Sequence, residues 1–297
     1  MMHTKSLYRR LIRIKGALID HHHYKYISYY KALLSLYRTR NINIKNLTNS
    51  ELATYKSSET IFILGSGPSL NKLSSEHINL INKHDSFGMS YSILKREIIP
   101  TYHYFGWHRG RYDRWKDVFS PFREIYKDVI IIMHTKALYS RLIHPRFTPL
   151  LFPIDPLIYV CKIPEPIILT DERMITNEEF NRSLLYRGAL SFILNIVVKM
   201  GYKKIVLLGI DLDTHEHFWD QNPIMYTDTI KRQENYNKRN LGDQFETQYS
   251  RPDKMLAFDK YLFYLNEYLL KEKNITLFSG FENKILSEFL SSYFVFN

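Results

Sequence analysis

Two short stretches hold residue types at spacings from which chemistry could be built. The first is Gly65-Ser66-Gly67-Pro68-Ser69, which stops the apolar run Thr60-Ile61-Phe62-Ile63-Leu64 at once. Glycines let a backbone approach a phosphate, and free amides at the start of a following helix would point toward it. Ser66 and Ser69 add hydroxyl donors. The stretch lacks the third glycine of the dinucleotide fingerprint and the Lys-Ser/Thr pair of the P-loop, so a purely structural turn stays open.

The second stretch is Gly209-Ile210-Asp211-Leu212-Asp213-Thr214-His215-Glu216-His217, after the apolar run ending at Leu208. Two acids and two histidines could bind a metal, act as general base, or cap and hydrogen-bond the loop. The spacing is not that of a zinc-binding H-E-x-x-H helix, which argues against a metal here. Asp211 reads as the structural or ligand-orienting acid. His215 and His217 are candidates for proton transfer, because histidine titrates near neutral pH. A third stretch, Trp107-His108-Arg109-Gly110-Arg111-Tyr112-Asp113-Arg114-Trp115, combines aromatic faces with three guanidinium groups. These suit stacking on a base or sugar and pairing with phosphate or carboxylate, or simply the start of a solvated helix.

Such groups need elements to position them. Thr60–Leu64 reads as a buried strand, followed by a helix over about 69–83. Further buried strands are expected at 86–89, 102–105, 129–133 and 167–169. Tyr186, Ala189, Leu190, Ile193, Ile196, Val197 and Met200 share one helical face that ends at Gly201, a good terminator. Lys203 to Gly209 then reads as a central strand. Strand, helix and strand in alternation predict an α/β fold with a mainly parallel sheet flanked by helices. In such sheets ligands bind at the C-terminal edge of the strands, where both glycine-containing stretches would lie.

Residues 221–250 are polar and poor in aliphatic side chains, so they read as an active-site lid, beginning near 218, or as a disordered insertion. A long helix from Pro252 to about Lys271, a strand at 275–278 and a short apolar helix close the chain. Residues 41–58 read as a polar linker, giving a helical extension over 1–50 and a catalytic-sized domain over 51–297.

Composition narrows the function classes. The net charge of +11 is unevenly placed: residues 1–40 carry +8 and the other 257 only +3. A basic extension beside a nearly neutral body argues against nucleic acid, whose ligands would track along the body. Leu7, Leu11, Ile14 and Leu18 at helical spacing, among Arg9, Arg10, Arg13 and Lys15, fit an amphipathic helix on a membrane surface, or equally a solvated arm or oligomer contact. Cys161 is the single cysteine, which excludes an intramolecular disulfide and a cysteine-rich zinc site. With neither a run of about 18 apolar residues nor a signal-peptide core, the expected home is the cytoplasm, at or near the inner membrane.

The two glycine-containing stretches also carry a likeness. Ile63 to Leu70 and Gly188 through Gly201 to Asp211 make the body resemble glycosyltransferase family 42, the bacterial sialyltransferases. They also resemble a wider group that includes flagellin-modification factors and pterin pyrophosphokinases. The resemblance spans roughly residues 59–290. It implies a single Rossmann-like domain of GT-A type with a lid, a CMP-activated nonulosonic acid as donor, metal-independent transfer without a prosthetic group, and a histidine base. By position, Gly65, Ser66 and Gly67 would hold the CMP phosphate and ribose, with Ser66 where the family usually has Asn. Ser90 falls where another donor-binding Asn is expected. Arg187 and Gly188 fall near the helix start that contacts the nucleotide or the sugar carboxylate.

The family's base precedes the long C-terminal helix, where this chain has Tyr249-Ser250-Arg251-Pro252 and no histidine. His215 or His217 would then have to substitute. The function this implies is transfer of an acidic sugar to a glycan or lipid-linked oligosaccharide in lipopolysaccharide or capsule assembly. Two rivals stand beside it: a magnesium-dependent pyrophosphokinase using Asp211 and Asp213, and a degenerate relative that only binds glycan or scaffolds an assembly. Self-association is open.

Overall fold

Thr60–Leu64, strand β2, is a strand because five consecutive apolar or β-branched side chains can be buried only if both faces of the chain are covered. The computed structural model describes residues 45–46, 49–105, 122, 124–134, 157–161, 165–166, 184–185, 188–214, 216–220 and 257–294. In chain order these form β1 (Lys45–Asn46), helix α1 (Asn49–Thr54), β2, a 3-10 turn (Pro68–Lys72), α2 (Ser75–Ile81) and β3 (Asp85–Met89). A second 3-10 turn (Ser90–Leu94) leads to β4 (Tyr102–Tyr104), β5 (Ile130–His134), β6 (Leu157–Cys161), β7 (Glu165–Pro166) and β8 (Leu184–Leu185). Then come α3 (Ala189–Lys199), β9 (Lys204–Leu208), α4 (Phe258–Tyr264), which runs on as a π-helical segment (Leu265–Leu270), and β10 (Thr276–Ser279).

Eight strands form one sheet in the order β1-β6-β5-β4-β3-β2-β9-β10, and every pairing is parallel. A separate parallel pair joins β7 to β8. The alternation of strand side chains builds a core on each face. Ile61 and Ile63 of β2, with Ile205 and Leu207 of β9, pack with Phe192, Ile193 and Val197 of α3 and Leu262 and Leu265 of the C-terminal helix. Phe62 and Leu64, with Val206 and Leu208, face the other way onto Leu70, Ile81, Tyr91, Phe105, Phe281 and Phe294. Each such fully buried side chain contributes about 1.5–3 kcal/mol relative to exposure. The result is the expected Rossmann-like, helix-flanked parallel sheet.

Gly201 ends α3 with φ +80, where the amides of Gly201 and Tyr202 donate to Val198 and Val197 carbonyls. A glycine after the last helical turn takes this conformation without the steric cost a side chain would incur. The helix expected over 69–83 is two pieces instead. Ser74 breaks it by adopting extended backbone and capping α2, its hydroxyl accepting the His77 amide and its own amide donating to His77 Nδ1. Residues 45–54, read as linker, contribute β1 and α1, and Leu52 of α1 enters the core. Strand β6 has no counterpart among the expected strands. The strand expected at 167–169, the N-terminal arm, the Trp107–Trp115 stretch and the lid at 221–250 lie outside the described residues.

Candidate functional site

The chain runs outward from β2 through β3, β4, β5 and β6, then returns across the sheet to β9, beside β2, and continues to β10. The connections leaving β2 and β9 therefore diverge, and the crevice beyond their C-terminal ends is the switch point at which open parallel sheets bind ligands. The two stretches singled out in the sequence, Gly65–Ser69 and Gly209–His217, are the segments that leave those two strand ends. They lie against each other.

Their contact is tight. The Gly65 amide donates to the Leu208 carbonyl at 2.7 Å and the Gly67 amide to the Gly209 carbonyl at 2.8 Å. A Cβ at Gly65 would lie 2.2 Å from the Gly209 oxygen, and one at Gly67 would lie 2.2 Å from Asp211 Oδ2. Gly209 turns away with φ +64, over Leu70. Both glycines of the turn are thus required by the approach of the β9 loop.

Asp211 completes the seam. Its Oδ2 accepts the Ser69 amide at 2.8 Å. Burial pushes its carboxyl above the ordinary carboxylate range, opposed by hydrogen bonds from the Ser69 backbone and side chain, with Asp213 raising it further and Lys72 lowering it. Asp213 is exposed, and its Oδ1 accepts from Asn283 Nδ2 at 3.2 Å. The expectation that this turn offers a row of free amides needs correction: those of Gly65, Gly67 and Ser69 are all used within the protein, by two carbonyls and a carboxylate. Pro68 has no amide hydrogen, and Leu70 donates to the Gly67 carbonyl. Among the described residues, the half-buried Ser66 is the one in the turn whose amide has no protein partner.

His217 stands next to Ser66. The neighbouring Phe218 amide donates to the Ser66 carbonyl at 3.0 Å, and Asn71 Nδ2 donates to the Phe218 carbonyl at 2.7 Å. Phe218 and Trp219 are buried, and the half-buried His217 ring stacks on Trp219 with centroids 4.3 Å apart. Burial lowers the His217 pKa below the ordinary histidine value. Asp220 and the Ser66 backbone, a hydrogen-bond acceptor for the ring, push it back up. The Asp220 carboxylate also accepts the His217 amide at 2.7 Å. The arrangement places the imidazole beside the Ser66 turn, where burial disfavours its charged form.

Of the other sequence candidates, Gly188 is the N-cap of α3, with φ +148 and its carbonyl accepting the Ser191 hydroxyl. Ser90 opens the 3-10 turn after β3, at the same C-terminal edge of the sheet. His215 and Arg187 lie outside the described residues. Asn71 was not singled out in the sequence, and no motif marks it; the fold brings the Phe218 carbonyl beside it. Among the described residues no cluster of three or more metal-ligating side chains occurs, and no helix is long and apolar enough to cross a membrane. A cleft of about 460 Å³ opens at the opposite edge of the sheet, lined by His84, Thr101, Glu124 and Lys127, and holds none of the residues above.

Comparison with solved structures adds a fold likeness. The chain is similar to bacterial sialyltransferase structures. One is the sialyltransferase CST-II in complex with a trisaccharide acceptor and CMP, at 14% identity, with 78% of this chain and 85% of that chain covered and a TM-score of 0.40. Another is CstII from Campylobacter jejuni with the substrate analogue CMP-3FNeuAc, at 15% identity, 79% and 86% coverage, and a TM-score of 0.43. No family model and no curated protein matches the sequence.

Proposed function

We propose that the protein is a glycosyltransferase that moves a sialic-acid-like or related acidic sugar from its CMP ester to a hydroxyl of a surface glycan. The observation that carries this reading is the pairing, at the switch point of a parallel sheet, of Ser66 with His217, a histidine whose charged form burial disfavours. The sequence resemblance to family 42 supports it from the other side, since the same two stretches carry that likeness.

In this reading the Ser66 amide and hydroxyl hydrogen-bond the donor's phosphoryl oxygens. His217 accepts the proton of the acceptor hydroxyl as that oxygen bonds to the anomeric carbon. The bond from that carbon to the phosphate oxygen breaks, and CMP leaves carrying the electron pair. Donors fixed in advance where charge develops stabilise the departing phosphate without reorganising, and a held acceptor needs little more than loss of its proton. Asp211 shapes the turn through Ser69. The acceptor belongs to lipopolysaccharide or capsule assembly, and the basic residues 1–40 hold the enzyme at the anionic inner membrane surface.

The test is incubation of the purified protein with CMP-sialic acid and related CMP sugars in EDTA, with and without oligosaccharide acceptors. Release of CMP coupled to a new glycosidic product is the expected result. Strict dependence on magnesium and ATP, with CMP sugars untouched, would replace this reading with a pyrophosphokinase.

A further inference from the structure

The backbone of Phe218 is held at both ends by the segment after β2. Its amide donates to the Ser66 carbonyl at 3.0 Å, and its carbonyl accepts from Asn71 Nδ2 at 2.7 Å. Its ring is 1% exposed, so the side chain cannot leave without opening the core. Trp219 follows, 3% exposed and edge-on to Tyr91. His217 is the residue before this anchored pair, and its ring lies along Trp219. The segment that follows β9 lies against the turn, and the Asn71 side chain is one of the groups that hold it there. Asn71 is itself exposed, in the 3-10 turn Pro68–Lys72.

We propose that Asn71 is the positioning residue for His217: its side-chain amide, by fixing the Phe218 carbonyl, sets where the imidazole stands over the Ser66 turn. The inference rests on the reading of His217 as proton acceptor for its catalytic consequence, but not for its geometry. Without the Asn71 amide, the Phe218 carbonyl loses its tie to the 3-10 turn, while the Phe218 amide and the buried Phe218 and Trp219 rings still hold the segment. The backbone around Phe218 can then tilt, and the imidazole shifts relative to Ser66. A carboxylate at the same position is isosteric but cannot donate, and it would face the Phe218 carbonyl with like polarity. Displacements on the scale of an ångström at a reacting group can cost about a hundredfold in rate.

The test compares the full-length protein with Asn71→Ala and Asn71→Asp. The first readout is the ring titration of His217, followed by NMR of the histidine-labelled protein and assigned with His217→Ala. Among the described residues, the groups facing that ring are the Asp220 carboxylate and the Ser66 carbonyl. Both variants should keep the wild-type melting transition to within a few degrees and move the His217 titration toward the ordinary histidine value, since burial is what depresses it. The second readout is transfer from a CMP sugar, where kcat should fall about tenfold or more and KM for the donor should stay within about twofold. A His217 titration unchanged in both folded variants would overturn the proposal. If the titration moves while transfer is untouched, Asn71 does position the ring, and the proton-acceptor reading of His217 is what fails.

Discussion

Asp211 holds the Ser69 amide at 2.8 Å, and in doing so places a carboxylate where a side chain at Gly67 would otherwise stand. A protein anion thus already satisfies the start of the 3-10 turn after β2. Among the described residues, the Ser66 amide is the one in the turn with no protein partner, which is narrower than a glycine-rich loop suggests from sequence.

The seam between Asp211 and Gly67 should make Gly67→Ala costly. Its Cβ would meet Asp211 Oδ2 at 2.2 Å, so either the carboxylate or the turn must shift. Urea unfolding should show a loss of about 1–3 kcal/mol, as for other overpacked sites. Asp211→Ala in the same chain should recover part of that loss, a non-additivity that a double-mutant cycle would measure. Strict additivity would mean that the two residues do not touch.

The raised carboxyl of Asp211 carries a pH signature of definite sign. A folded-state pKa above the unfolded value stabilises the fold fully below the unfolded pKa, and that contribution is lost as pH rises through the folded value. The stability of wild type relative to Asp211→Asn should therefore decline between about pH 4 and neutrality, the window above the ordinary carboxylate pKa. Parallel urea titrations of the two proteins across that range would show it; a flat difference would contradict the assignment.

His217 shifts in the opposite sense. Its depressed pKa keeps the imidazole neutral below the ordinary histidine value. The acid limb of kcat/KM should accordingly fall below about pH 6.5, with transfer flat above it. The linked stability is present above the unfolded pKa and is lost as pH falls through the folded one. His217→Ala should lower kcat about a hundredfold or more and remove the acid limb.

Much of this was legible in the sequence, for reasons specific to each element. Thr60–Leu64 and Lys204–Leu208 could be read as central strands because both faces are buried and apolar side chains run without alternation. The convergence of their following loops came from one rule about parallel sheets. The hydrogen bonds from Gly65 and Gly67 to the β9 loop could not be read, because they join residues more than 140 positions apart. Asn71 was invisible for the same reason: it is an exposed polar residue in a turn, and its bond to Phe218 spans as long a stretch of chain. The break at Ser74 was missed because helical periodicity continues across it while the cap decides locally.

Away from the site, Asp85 is a structural acid. It is 2% exposed and accepts from the Ser57 amide and hydroxyl, the Ser58 amide and the Tyr202 hydroxyl, whose oxygen lies within hydrogen-bond distance, 3.3 Å, of the Tyr102 hydroxyl. Burial pushes both tyrosine hydroxyls well above their ordinary pKa, so they remain donors. Asp85→Ala should cost about 3–5 kcal/mol by stranding these groups, while leaving nucleotide affinity of the folded fraction unchanged. Calorimetric unfolding together with a CMP titration separates the two effects.

The central claim is that Ser66, beside His217, receives the phosphate of a cytidine nucleotide. Amide NMR of the serine- and histidine-labelled protein during a CMP titration tests it most directly. The account predicts that the Ser66 amide shows the largest shift, saturating together with His217. Saturable CMP binding that leaves Ser66 and His217 unmoved would contradict it.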